Sequence, residues 1–316
     1  MRLLIFFIIS FDYLFSNAHI FVYHRFNDAK HPTTNTSISE LKSQFEYLKQ
    51  NNYQVVKLED IIKKLHAKQA IPSNWVAFTI DDAYKSFFAY GLPVFRSYGF
   101  SFTVFASTEV TQNKYPDFMN WDELRETSKY GSVEFHSHIH PRLTKLTDEQ
   151  IINDTQTGLD LFKKNLNKTP MFYAYPFGEY DDRIQNILKT KFQFKAILNQ
   201  MPGTVTKQSN PYDIFRFPLV GNSDIKFHLK YKSLENIEWI EPNNFPKNGI
   251  LKSVKVKIPP EIKSLRVFIS GENKWQDMKI ENNLAFLNLN VKLSKQRTRI
   301  VVSPDYYQTS TKLLVK

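Results

Sequence analysis

The chain contains no cysteine. No disulfide can brace it and no thiolate can ligate a metal. Any metal site must therefore come from histidine, aspartate and glutamate, a donor set that suits zinc or a similar first-row ion. Long apolar runs are missing too: beyond the first residues no segment could cross a bilayer. The net charge is +11 over 316 residues, yet the lysines are scattered and no RNA-binding signature occurs, so nucleic acid is not the expected partner. The positive surplus fits anionic glycans, cell-wall polymers or lipid headgroups; it also fits a composition rich in Lys, Asn, Ile and Phe, as in AT-rich genomes. There is no internal repeat and no low-complexity tract.

What is present points to a folded, exported chain. Apolar residues make up 42%, with 27 Phe and 16 Tyr, enough for a sizeable core, and the length allows one large domain plus a small one. Arg2, the apolar residues 3–9 and the small residues Ser16-Asn17-Ala18 read as an export signal over 1–18, cleaved after Ala18. The alternative is an uncleaved anchor, for which the stretch is short and is interrupted by Asp12.

Hydrophobic periodicity places strands at 19–23, 53–56, 75–80, 102–106, 132–135, 171–175 and 195–199. Helices are expected at 38–51, 58–68, 83–98, 120–130, 148–166 and 181–191. In the first helix Leu41, Phe45 and Leu48 share a face, and Ser37 with Glu40 forms a capping-box pattern. Gly99 closes the helix 83–98. Strands alternating with helices predict a parallel α/β architecture, in which ligands gather at the carboxyl ends of the strands. Asp81, His136 and the loop at Pro176 all follow strands and so fall on one face. Beyond residue 233 the period changes to two, with strands at 254–258, 265–270, 275–280, 284–293 and 298–302. The expected organisation is an export signal 1–18, a catalytic domain 19–233 and a β-rich, sandwich-like domain 234–316, with the linker inside 235–249.

Two features carry chemistry. Asp81 and Asp82 sit side by side at the end of the apolar run 76–80. Two ionised carboxylates in contact repel, so the pair calls for a cation or a shared proton; alone, it also fits a turn or a helix N-cap. Downstream come His136, His138 and His140, three of the chain's 8 histidines within five residues. His136 and His140 can point the same way, whereas His138 is offset by two from each and would turn away if they share a face. The bland reading is a surface His-rich loop. Together the two clusters can hold one divalent metal and keep a free base beside it, which makes metal-assisted hydrolysis the leading expectation.

These residues carry a resemblance. Phe78-Thr79-Ile80-Asp81-Asp82-Ala83 resembles the first motif, usually T-F-D-D-G, of the polysaccharide deacetylase family, the NodB-homology carbohydrate esterases. His136-Ser137-His138-Ile139-His140-Pro141-Arg142-Leu143 is similar to the second motif, H-[ST]-x-x-H-P-x-L. The stretch 173–181 (Tyr-Ala-Tyr-Pro-Phe-Gly-Glu-Tyr-Asp) looks like the third, and Arg216-Phe217-Pro218 like the fourth. Tyr23-His24-Arg25, Phe45-Glu46-Tyr47-Leu48 and Tyr53-Gln54-Val55-Val56 resemble the lead-in of the subgroup acting on poly-N-acetylglucosamine. The likeness covers roughly 20–230. It implies a distorted (β/α)7-type barrel, followed here by the small all-β domain. It also implies Asp82, His136 and His140 as ligands of one divalent metal, zinc first and nickel, cobalt or iron otherwise. Asp81 would be the general base, Arg216 its partner, the Phe177 N–H an oxyanion donor and His24 the general acid. His228 is the other candidate for the acid, because no fifth motif follows Arg216. Tyr84, Tyr175 and Pro176 would meet the substrate; Phe87, Trp121 and Tyr173 are further aromatics that could offer faces to sugar rings or belong to the core, as are Trp239 and Trp275 in the β-rich domain. Ile80, Ala83, Ala174 and Phe177 depart from the commonest family residues, Ala83 replacing a glycine at an expected helix start.

The activity so implied is N-deacetylation of an N-acetylhexosamine polymer outside the cytoplasm, in the periplasm or cell envelope, with no membrane insertion once the signal is removed. O-deacetylation of glycan esters would use the same site. A non-catalytic glycan-binding protein on the same fold is the rival from another class, against which Asp81, Asp82, His136, His140 and Arg216 all stand intact.

Overall fold

The computed structural model describes residues 17–221 and 223–316. The expected export signal lies outside the described residues except for its last two positions. Those two are built into the fold. Ala18 is buried and bridges Val205, and Asn17 Oδ1 accepts from the Thr204 hydroxyl at 2.7 Å and from the Ser233 amide at 2.9 Å.

Seven parallel strands form a curled sheet: β1 (His19–Tyr23), β2 (Trp75–Ile80), β3 (Thr103–Ala106), β4 (Ser132–Phe135), β5 (Phe172–Ala174), β6 (Ala196–Leu198) and β7 (Phe217–Pro218). Their order is β7-β1-β2-β3-β4-β5-β6, with the short strand Gln54–Val55 added beside β2. Every residue of β1 is buried, as parallel strands covered on both faces require. The alternation along β2 sorts the core. Val76, Phe78 and Ile80 join Phe21, Tyr23, Phe45 and Phe95 in the larger cluster. Ala77 faces a smaller one, with Ile20, Phe105, Ala174, Leu198 and the helix Leu58–His66. Thr79 and Asp81 continue the Ala77 face.

The edge strands β6 and β7 do not pair with each other. The segment between them spans the gap: Asn199 N–H donates to Ile214 O at 2.9 Å, Ile214 N–H to Ile197 O at 3.0 Å and Arg216 N–H to Met201 O at 3.0 Å. This seam closes the half-barrel.

The helix Ile38–Gln50 carries the capping box of Ser37 and Glu40, and two further boxes, Asn120 with Glu123 and Thr147 with Gln150, start Trp121–Thr127 and Asp148–Leu166. The expected helix over 83–98 is corrected. Asp82 and Ala83 have φ of 68° and 55°, a left-handed turn that no helix can begin with. The helical stretch instead begins at Lys85, passes through a π-turn at Phe87–Gly91 and is α-helix again over Leu92–Tyr98, ending at Gly99 with φ 65°. Ala83 thus stands in a conformation that favours glycine, not at a helix start.

From residue 232 the chain is all β. One sheet orders β8 (Lys232–Ser233), β16 (Gln308–Val315), β15 (Arg297–Ser303), β11 (Arg266–Ile269) and β12 (Gln276–Asp277). The other orders β9 (Glu238–Glu241), β10 (Ile250–Lys257), β14 (Leu284–Lys292) and β13 (Lys279–Glu281). Val254 and Val256 of one meet Val267, Ile300, Val302 and Leu314 of the other in a shared core. Part of the expected linker 235–249 is strand β9, paired with β10. The last strand, β16, has an irregular apolar pattern and no counterpart in the sequence reading. Among the described residues no helix is long and apolar enough to cross a membrane.

Candidate active site

Strict alternation past the end of β2 would send Asp81 and Asp82 to opposite faces. The left-handed turn at Asp82 and Ala83 brings both carboxylates to the mouth of the half-barrel. Glu134 on β4 and His136 just past its end share the inner face, and the loop after Phe135 is folded by its own polar groups. Ser137 and His140 have positive φ, the Ser137 hydroxyl accepts from the His140 amide at 3.0 Å, and the buried Asp154 carboxylate accepts from the His138 and Ile139 amides, each at 3.0 Å.

That loop sets three side chains around one point. His136 Nε2 lies 3.4 Å and His140 Nε2 3.3 Å from Asp82 Oδ1, and the three donor atoms all fall within 4.8 Å of one another. His136 Nδ1–H is committed to the Ala174 carbonyl at 2.7 Å. This fixes the tautomer and leaves Nε2, a buried atom with no hydrogen-bond partner, as a lone pair turned to the cluster. The donor set and its unpartnered nitrogen fit a divalent cation of the zinc type. Burial works to raise the Asp82 carboxyl, but the hydrogen bond and charge of His136 outweigh it and hold it far below the ordinary range. Burial would lower His136, and Asp81 and Asp82 push it up instead. His140 is driven down to about 4 by burial and by His136. His138 turns away, its Nδ1 2.9 Å from the Thr108 hydroxyl.

Asp81 takes no part in that triad. It is fully buried with Arg216, which donates Nη1–H to Oδ1 at 2.7 Å and Nη2–H to Oδ2 at 2.8 Å. Arg216 is itself anchored through Nε to Asn199 O at 2.7 Å and through Nη1 to the Thr79 hydroxyl at 3.0 Å. Burial would raise the Asp81 carboxyl; the Arg216 guanidinium, with His136, keeps it below its usual value and so ionised. Gln200 Nε2 donates to Asp81 Oδ2 at 3.1 Å and lies 3.4 Å from His24 Nε2. His24 follows β1 at the same mouth, its Nδ1 buried and unpartnered. Phe177 adopts φ 60°, ψ 4°, and its ring meets that of His140 at 4.5 Å.

The placements expected of Tyr175 and Pro176 are corrected, and the alternatives left open for the other aromatics of the half-barrel and for His228 are decided. Tyr175 is fully buried; it stacks on Tyr180 at 4.5 Å and donates its hydroxyl to Tyr212 O, so it offers no face to a ligand. Pro176 is buried as well. Tyr173, Phe87 and Trp121 belong to the core. His228 packs on Phe217 and Phe21, beside His19 at the start of β1, away from the carboxylate pair. Tyr84 does lie at the rim. Its ring stacks on Phe118 at 4.9 Å and under the Arg25 guanidinium at 3.6 Å, and burial and Asp82 push its hydroxyl up to about 12. Arg25 is braced in turn by Asp117, 92 positions away, and by Asp28. The sequence reading passed over Asp117 and Gln200, because nothing local to either residue marks its long-range partner.

A parallel half-barrel with a His/His/Asp cluster and an arginine-held carboxylate at its mouth defines a carbohydrate-esterase type of hydrolase scaffold. Residues 68–194 match the family model described as polysaccharide deacetylase. The poly-beta-1,6-N-acetyl-D-glucosamine N-deacetylase of Staphylococcus aureus is 27% identical over 213 residues, 62% of this chain and 71% of that protein. A Bacillus subtilis homologue, YxkH, is 23% identical over 179 residues; the match spans 56% of this chain and 63%, under two thirds, of that relative. Among solved structures, the Streptococcus pyogenes deacetylase PplD superposes with a TM-score of 0.61 at 18% identity, covering 66% of this chain and 94% of PplD. IcaB from Ammonifex degensii gives 0.59 at 20% identity, covering 65% and 92%. The matched segment 68–194 carries the polysaccharide deacetylase likeness, and the relatives and solved structures support the NodB-homology carbohydrate esterases for the half-barrel.

Proposed function

We propose that the protein is a metal-dependent N-deacetylase of an N-acetylhexosamine polymer, exported to the periplasm or cell envelope, with 19–233 as the catalytic unit and 234–316 as an accessory one. The observation that carries the reading is the division of labour between the two neighbouring carboxylates: Asp82 faces His136 and His140, while Asp81 is held apart by Arg216. The relative named for N-deacetylation of poly-β-1,6-N-acetylglucosamine supports the substrate class.

Asp82, His136 and His140 would hold the ion, zinc by its donor set. Once bound it supplies Lewis-acid polarisation of the acetamide carbonyl and lowers the pKa of water. Asp81, kept ionised by Arg216, removes a proton from the attacking water. The Phe177 N–H donates to the oxygen that becomes negative as the carbonyl carbon turns tetrahedral. His24, at the same mouth, delivers a proton to the nitrogen as the C–N bond breaks, leaving acetate and a free amine on the sugar. Tyr84 presents its edge at the rim to the sugar ring.

The test is acetate release by zinc-loaded protein from poly-β-1,6-N-acetylglucosamine, chitin oligomers and acetylated xylan, with products weighed by mass spectrometry. Loss of acetyl groups from an amino-sugar chain, with acetate released in equal amount, is the expected result. Release from xylan alone would make it an O-acetyl esterase. No release and no bound metal would make it a glycan-binding protein.

A further inference from the structure

The β-rich domain reaches into the active site. Arg297, the first residue of β15, donates Nη1–H to the carbonyl oxygen of Phe177, and its Nε lies 3.6 Å from Glu179 Oε1. Glu179 is fully buried. Its Oε1 also receives Arg142, which follows the histidine loop, and its Oε2 has no hydrogen-bond partner. The Arg142 guanidinium covers the Phe177 ring at 4.3 Å. Nearby, Lys145 Nζ and Gln296 Nε2 both donate to Lys316 O, at 3.0 and 2.8 Å. One end of the β15–β16 pair thus rests on two site-bearing loops at once, 142–145 and 176–179.

The geometry has a specific effect. A phenylalanine at φ 60° stands in the left-handed region that favours glycine, so the loop needs outside restraint. Ring contacts from His140 and Arg142 fix the Phe177 side chain. Among the described residues Arg297 is the one that fixes its carbonyl, through a charge-assisted bond, and the buried Glu179 carboxylate holds that guanidinium in place. We propose that Arg297 is a positioning residue: the β-rich domain clamps the Phe177 backbone so that its N–H stays aimed into the site. The activity arm of the test rests on the deacetylase reading; the backbone arm does not.

The experiment uses the full chain with Arg297→Met, which keeps the stem and removes the donors, and Arg297→Lys, which keeps one donor and the charge. Hydrogen exchange by mass spectrometry reads the Gly178 and Glu179 amides, bonded to Tyr175 O at 2.8 Å and Pro176 O at 3.1 Å. In Arg297→Met these amides are expected to exchange at least tenfold faster, with β1–β4 unchanged. On N-acetylglucosamine oligomers kcat is expected to fall on the order of 10- to 100-fold with KM within about twofold, and Arg297→Lys to recover part of both losses. Unchanged exchange at Gly178 and Glu179 in a folded Arg297→Met variant overturns the clamp, whatever the activity. Faster exchange in a protein whose wild type cleaves no polymer keeps the clamp and removes the deacetylase reading. If Arg297→Met does not fold, the Lys variant carries the same comparison.

Discussion

Arg216 holds Asp81 by two parallel hydrogen bonds of 2.7 and 2.8 Å, with both side chains wholly out of solvent. Removing one partner of such a pair leaves an uncompensated buried charge, which costs about 3–5 kcal/mol. Arg216→Met is therefore expected to lower stability by that order, and Asp81→Asn, which leaves the buried guanidinium without its counter-charge but with an amide oxygen to accept from it, by a similar one. Asp81→Asn is also expected to abolish hydrolysis while one metal ion per chain remains bound. Chemical denaturation and metal analysis decide it; substantial turnover by Asp81→Asn would remove Asp81 from the role of base.

The metal triad separates two histidines that look alike in sequence. His140→Ala is expected to lose metal and activity together. His138→Ala, whose ring faces Thr108, is expected to keep the metal. Saturating zinc at about a hundred times its Kd should stabilise the wild type by about 2.7 kcal/mol, and the His140 variant by nothing. Equal zinc-dependent melting shifts in the two variants would contradict the assignment.

His19, at the start of β1, gives a pH signature unrelated to the site. Burial drives it down to about 4, only partly opposed by its hydrogen bond to the Tyr231 carbonyl. The folded state therefore keeps it neutral while the unfolded chain protonates near 6.5. Its contribution to stability is complete above pH 6.5 and is lost as the pH falls from there toward 4, about 3 kcal/mol in all. His19→Phe should flatten that limb of the stability curve. The same slope in variant and wild type would show that the loss comes from elsewhere.

Gly158 sits in the helix Asp148–Leu166, where alanine is the better helix former by about 1 kcal/mol. A Cβ there would lie 2.4 Å from Phe135 Cζ, and overpacking costs about 1–3 kcal/mol. The clash is expected to win, so Gly158→Ala should melt lower than wild type and loosen the strand end that carries His136. A higher melting temperature would mean that Phe135 can move aside.

The fold was legible wherever one periodicity ran unbroken. Strands β1 to β6 of the half-barrel and the capped helix after Ser37 declare themselves locally, whereas the two-residue β7 is too short to show a period, and the spacing of His136 and His140 marked the cluster they form with Asp82. Alternation also decides Tyr175 correctly when it is applied. Tyr173 and Tyr175 share one face of β5 and Phe172 and Ala174 the other, so the tyrosine in the motif lies in the core despite its polar tip. What stayed hidden is of another kind. Arg25 with Asp117, Gln200 with Asp81, and Arg297 with Phe177 join residues 92, 119 and 120 positions apart. No pattern within a window encodes which distant partner a side chain will find. The left-handed turn at Asp82 and Ala83 was hidden because alanine there disguises a position that glycine would have announced.

The seam between β6 and β7 ties the closure of the half-barrel to the carboxylate at its mouth. The segment that bridges the two edge strands also carries Arg216 and Gln200 to Asp81. A chain with every strand formed but the seam still open has its triad assembled and its carboxylate unheld. The hold on Asp81 is therefore only as sound as that closure, while the Asp82, His136 and His140 cluster is carried by the ends of β2 and β4.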